Sequence, residues 1–232
     1  MTRGYPIYMI IMTISIRWLG HSSFQINVDE KVIYVDLYRS KQLRERVPDA
    51  LDPATLVLAT HSHNDHCFPE AINEVRNSET TVIAPADCSE KIGSEITSLT
   101  PGEETTVQGI TIKAVHAYNV KRFRSPGNPY HPKGFGVGYL INAEDKTIYF
   151  AGDTDVIPEM KELESIDVAL LPCGDTYTMD NRDAAEATRI IKPKIVVPMH
   201  TWDKSVDDFK KQVEKETDVE FKHLKEGESF SI

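Results

Sequence analysis

Leu56-Val-Leu-Ala-Thr-His61-Ser-His63-Asn-Asp65-His66 is a short apolar strand pattern that runs into three imidazoles and one carboxylate within six residues. Alternating side chains on an extended strand end place His61 and His63 on the same side. Asp65 and His66 fall where the chain turns toward Pro69 and a helical stretch, so they can face a second point. Two adjacent metal sites fit this geometry better than one. A solvated polar turn is the ordinary explanation for one such residue, and it accounts poorly for four ligand types in so short a stretch.

A divalent ion needs three or four protein ligands, so further His or Asp residues are expected at the ends of other strands. His116 follows the strand expected over 110–115, Asp153 follows that over 147–150, and His200 follows that over 195–198. A layered sheet converges residues from the carboxyl ends of its strands on one cleft.

The remaining pattern is that of α/β layers. Short β-branched runs at 13–18, 22–28 and 31–36 read as a meander. From 56–59 onward strands and helices alternate: helix at 69–77, strand at 81–84, hairpins over 104–115 and 136–150, and strand at 168–171. A helix at 182–191, strand at 195–198, helix at 206–216 and strand at 219–223 follow. Sheets with helices outside them imply a four-layer αββα sandwich. The 232 residues, with no linker or low-complexity stretch, suit one domain over 1–232. Met12-Thr-Ile-Ser-Ile reads as a protein start of its own, so 1–11 is expected to be a dispensable N-terminal extension.

With 40% apolar and 27% charged residues, disorder, collagen and coiled coil are excluded. A net charge of −10 disfavours nucleic acid and anionic membrane as partners. The apolar run at 7–16 is too short for a bilayer span, and three scattered cysteines suggest neither a disulfide framework nor a thiolate zinc site; a cytoplasmic location is expected. The sequence leaves a homo-oligomer open.

These residues resemble the metallo-β-lactamase fold superfamily, whose HxHxDH signature His61, His63, Asp65 and His66 match in full. More narrowly, Trp18-Leu-Gly-His-Ser-Ser-Phe, Ala151-Gly-Asp-Thr, Ala169-Leu-Leu-Pro-Cys-Gly-Asp-Thr and Lys192-Pro-Lys-Ile-Val-Val-Pro-Met-His are similar to the metal-dependent hydrolase family that contains the ascorbate-6-phosphate lactonase. The resemblance implies His61, His63 and His116 on one metal, Asp65, His66 and His200 on the other, and Asp153 bridging. A cysteine in place of Asp153, as in familiar lactamases, and a glutamate in place of His63, as in flavodiiron reductases, are both absent.

The function so implied is a binuclear metal-dependent hydrolase in which a metal-bridging hydroxide cleaves a small anionic ester, a lactone or a phosphodiester. Two divalent ions per chain are expected, with zinc suited to the His-rich set and manganese or iron left open. Asp65 would orient the hydroxide and take a proton. Two ions, two carboxylates and one hydroxide leave the centre at about +1, attractive to anions. The 118–134 connection is long and carries Lys121, Arg122, Arg124 and Lys133 without any acid, so it is expected to overhang the metals and hold a substrate anion. His131 within it is a candidate proton donor, and His21, Tyr130, His131 and Lys133 are candidate substrate contacts. The competing functions are a di-iron redox enzyme on the same fold and a metal-bound binding module without turnover.

Overall fold

The computed structural model describes residues 13–93 and 95–232; the expected extension at 1–11 lies outside them. Strands β1 (Ile14–Gly20), β2 (Ser23–Val28) and β3 (Lys31–Val35) form the meander, and the short helix α1 (Lys41–Arg46) follows. Then come β4 (Leu56–Leu58), α2 (Pro69–Val75), β5 (Thr81–Ile83), α3 (Ser89–Ile92), β6 (Glu104–Val107) and β7 (Ile110–Ala117). A small hairpin of β8 (Phe123–Ser125) and β9 (Asn128–Pro129) leads into β10 (Gly136–Ala143), β11 (Lys146–Phe150) and β12 (Val168–Pro172). The chain ends with α4 (Asn181–Ile191), β13 (Ile195–Met199), α5 (Asp207–Glu216), β14 (Glu220–Phe221) and β15 (Ser229–Ser231).

Two sheets result, ordered β15-β1-β2-β3-β4-β5 and β14-β13-β12-β11-β10-β7-β6. They pack face to face because their alternating residues divide cleanly between two environments. Ile33, Leu56 and Leu58 of the first sheet face Ile112, Phe150 and Leu170 of the second in a central core. The intervening residues point outward: Tyr34, Val57 and Val82 meet Ala71, Ile72 and Val75 of α2. Ala169, Leu171 and Val196 meet α4 and α5 through Ala184, Ala187, Phe209 and Val213. Strands covered on both faces read as continuous apolar runs, which is why 56–59 and 168–171 carry no polar alternation. The expected αββα sandwich is thus the observed architecture.

Strands β3, β4 and β5 run parallel, as do β11, β12, β13 and β14, so their carboxyl ends collect along one rim. Among the described residues, no helix is long and apolar enough to cross a membrane.

The long 118–134 connection folds over the rim, as expected, and is itself structured. It holds the β8–β9 hairpin, and its base is clamped to Asp155. The fully buried Asp155 carboxylate accepts backbone N–H bonds from Val120 (2.8 Å), Lys121 (2.7 Å) and Arg122 (3.1 Å), and the Arg122 guanidinium at 3.1 Å. Replacing Asp155 by alanine strands these donors at a cost of about 2–4 kcal/mol. A lower Tm and faster limited proteolysis within 120–130 are the expected readouts; unchanged proteolysis would mean that the clamp is not what holds the hairpin.

Candidate metal centre

Several strand ends at the rim deliver polar groups. Thr60 and His61 follow β4, Asp153 follows β11, His200 follows β13, Asp36 follows β3, and His21 sits in the β1–β2 turn. His21, Asp36 and His200 all hold left-handed backbone, with φ of 53°, 46° and 52°. Strain of about 1–3 kcal/mol per such residue persists where the surroundings over-determine it, commonly at functional sites. Gly174 lets the end of β12 approach the His200 loop: a Cβ there would come within 2.0 Å of the His200 carbonyl oxygen.

Hydrogen bonds fix the tautomers. The buried Asp36 carboxylate accepts from the Thr60 N–H (2.7 Å), the Thr60 hydroxyl (2.8 Å) and His66 Nδ1 (2.6 Å). Since the Thr60 hydroxyl gives its proton to Asp36, it accepts from His61 Nδ1–H at 2.9 Å. His131 Nδ1 donates to Asn119 Oδ1 at 3.0 Å. His61 and His131 therefore each turn an unprotonated Nε2 inward, and the Asp36 bond aims His66 Nε2 the same way, the orientation that metal-bound imidazoles need.

Those lone pairs converge. His63 Nδ1 lies 3.0 Å from His61 Nε2 and 3.2 Å from His131 Nε2, so a single proton at best serves three nitrogens. Asp153 lies beside them, its Oδ2 3.3 Å from both His131 and His200 Nε2 and its Oδ1 3.5 Å from His66 Nε2. Asp65 Oδ2 accepts from His21 Nε2 at 3.0 Å and lies 3.6 Å from His66 Nε2. Taking one ligand atom from each residue, three groups fall within 4.8 Å: His61–His63–His131, His61–His66–Asp153, and His21–Asp65–His66–His200. His66 Nε2, Asp153 Oδ1 and both ring nitrogens of His200 are buried without a hydrogen-bond partner. Orphaned buried polar atoms are costly, and a set composed of imidazole and carboxylate fits divalent cations.

Burial lowers the His21 and His131 imidazoles to about 4, leaving both neutral at pH 7. At His66 burial also opposes charge, but Asp153 and Asp36 outweigh it and raise the group to about 10. Burial likewise works against ionised Asp153 and Asp65, yet His200 and His66 hold Asp153 well below the usual carboxylate range, and the His21 hydrogen bond with His66 does so for Asp65. Neutral His21 and His131 and a protonated His66 thus stand around the ionised Asp153 and Asp65.

The expected residues His61, His63, Asp65, His66, Asp153 and His200 are thus brought together, but His116 is not. Strand β7 continues past it to Ala117, so His116 is still paired within the sheet, opposite Val137. It lines a separate cleft of about 280 Å³ beside Glu159 and Met160. The third imidazole of the first group comes instead from His131, beyond the hairpin. His131 was expected as a proton donor or substrate contact; it is 2% exposed and lies inside the ligand set.

Lys133 is the other departure: its Nζ pairs with Glu159 at 2.7 Å and lies over the Tyr118 ring, away from the cleft. Tyr130 does line the metal cleft, together with Arg124, Tyr177 and Trp202, while His21 opens on a neighbouring cavity with Trp18 and Tyr38. Asp36, Thr60 and Asn119, which orient the ligands, carried no signal in the sequence beyond that of ordinary turn and loop residues.

Comparison with known proteins agrees with this geometry. Residues 15–200 match the β-lactamase superfamily domain. A UPF0173 metal-dependent hydrolase of Pelotomaculum thermopropionicum is 32% identical, over 94% of this chain and 99% of the relative. Another from Thermococcus kodakarensis is 34% identical over 94% and 100%. The crystal structure of a Parabacteroides distasonis protein assigned to the metal-dependent hydrolases superposes with a TM-score of 0.82 at 32% identity, covering 93% of this chain and 94% of that one. A converging His/Asp set on a two-sheet sandwich, matched over nearly its full length by such relatives, means that the chain belongs to the β-lactamase superfamily and, within it, to the UPF0173 metal-dependent hydrolases.

Proposed function

We propose that the protein is a binuclear metal-dependent hydrolase that cleaves a small anionic ester, either a lactone or a phosphodiester. The observation that carries this reading is the placement of Asp153 between two ligand groups, within 3.5 Å of His66, His131 and His200. His61, His63 and His131 with Asp153 would hold one ion; Asp65, His66 and His200 with Asp153 would hold the other. Zinc suits the imidazole-rich set, with manganese or iron as the alternatives. Two divalent ions bound there would supply a nucleophilic hydroxide at neutral pH and a Lewis acid for the attacked oxygen.

The chain's own residues do the rest. Asp36 and Thr60 keep His61 and His66 in the ligating tautomer, and Asn119 does the same for His131. His21 holds Asp65 through Oδ2, which leaves Oδ1 to take the proton released during attack. The cleft of about 480 Å³ admits a substrate of metabolite size. Three free, buried cysteines support the cytoplasm as its compartment.

The test is hydrolysis by metal-replete protein of a matched phosphodiester and small lactone, with Asp65→Ala as the blank. At least one substrate is expected to turn over about 10²-fold faster than the blank. Equal rates for both substrates in the two proteins would overturn the proposal.

A further inference from the structure

The four cations of the 118–134 segment do not share one fate. Lys121 pairs with Asp183 at 2.7 Å, and Lys133 with Glu159 at 2.7 Å. Arg122 is surrounded by Asp155, Asp175, Asp180 and Asp183. These three are paired with carboxylates that tie the segment to the body of the protein. Arg124 has no carboxylate partner among the described residues. It lies on β8, at the wall of the cleft that His63, Asp65 and His200 also line. Its guanidinium sits over the Tyr130 ring, 5.2 Å from the centroid.

Tyr130 in turn packs edge-on against Tyr177 at 4.8 Å, and Tyr177 lies 6.3 Å from Trp202. Tyr177 and Trp202 are 38% and 50% exposed, two of the four large hydrophobic side chains left so open among the described residues. One wall of the cleft is therefore an aromatic rim ending in an unneutralised cation, on a hairpin whose base is clamped to Asp155. In a chain of net charge −10 rich in surface carboxylates, such a cation beside a ligand cleft marks a position kept for an anion from outside. The stacked ring holds the guanidinium in place while leaving its N–H edge free for a planar, bidentate contact.

We propose that Arg124 is a specificity-determining residue that binds a second anionic group of the substrate, a carboxylate or phosphate set apart from the bond being cleaved, with the intervening portion lying along Tyr177 and Trp202. This rests on the hydrolytic reading above and narrows it: the substrate is an ester with two separated polar ends, one at the metal ligands and one at the hairpin.

Binding is measured calorimetrically on zinc-loaded protein with two non-hydrolysable probes. These are 4-phosphonobutyrate and 4-carboxybenzylphosphonate, each compared with the analogue that lacks the carboxylate. At least one carboxylate probe is expected to bind about tenfold or more tightly than its analogue, with an advantage that shrinks as salt is added. Arg124→Ala abolishes the advantage and Arg124→Lys retains part of it; the exposed position makes neither change a folding risk. No advantage in the unsubstituted protein with either probe, or an advantage that survives in Arg124→Ala, overturns the proposal. Turnover of lactone or diester without any carboxylate preference sinks this inference alone, whereas an Arg124-dependent preference without turnover sinks the hydrolytic reading and leaves the anion site standing.

Discussion

Asp153→Ala is expected to lose metal from both sites at once and to lower hydrolysis by about 10³-fold or more. The carboxylate lies within 3.5 Å of His66, His131 and His200, which belong to opposite halves of the centre. In the proposed two-ion arrangement, removing it would take a ligand from each ion and leave each half with imidazoles and at most one carboxylate. Asp153→Asn keeps the shape but loses the negative charge, so it is expected to bind metal more weakly than the parent and more strongly than the alanine variant. Metal content per chain after gel filtration, with circular dichroism to confirm folding, reads the result. Full occupancy in folded Asp153→Ala would refute the bridging role.

A second pair of variants separates two histidines that look alike in the sequence. His131→Ala is expected to empty the His61–His63 half and cut activity by about 10²-fold or more, because its Nε2 is one of the three converging nitrogens. His116→Ala is expected to retain metal and most activity, since its ring lies in another cleft and belongs to none of the three ligand groups. Metal analysis of both proteins decides between them. The reverse outcome would restore His116 as the ligand and return His131 to a substrate-facing role.

The confusion between these two residues shows what a sequence discloses about such a site. Candidate ligands that follow a strand were legible, because an apolar run fixes the strand and its end fixes the rim: His61, Asp153 and His200 are of this kind. His131 arrives from a hairpin folded back across the rim, and its place depends on Asp155 capturing three backbone N–H groups and on Asn119 capturing the His131 ring. Neither contact has a local pattern. His116 stands where a strand was expected to end, but β7 runs on to Ala117, so the apparent strand-end ligand is a residue within the sheet.

The same non-local pairing explains the basic segment. Its four cations are alike in the sequence, yet acids at Asp155, Asp183 and Glu159 neutralise three of them, leaving Arg124 alone at the cleft. The sandwich itself was far more legible, since apolar runs covered on both faces mark central strands and the intervening amphipathic stretches mark outer helices. The short helices α1 and α3 and the closing strand β15 escaped notice, being three to six residues long and set by tertiary contact.

Titrating metal-stripped protein with zinc by calorimetry, with the bound metal counted afterwards, is the most direct test of a binuclear centre. Two equivalents per chain are expected, falling to at most one in His131→Ala and toward none in Asp153→Ala. A single equivalent in the unsubstituted protein, unaffected by loss of His131, would contradict the two-ion assignment.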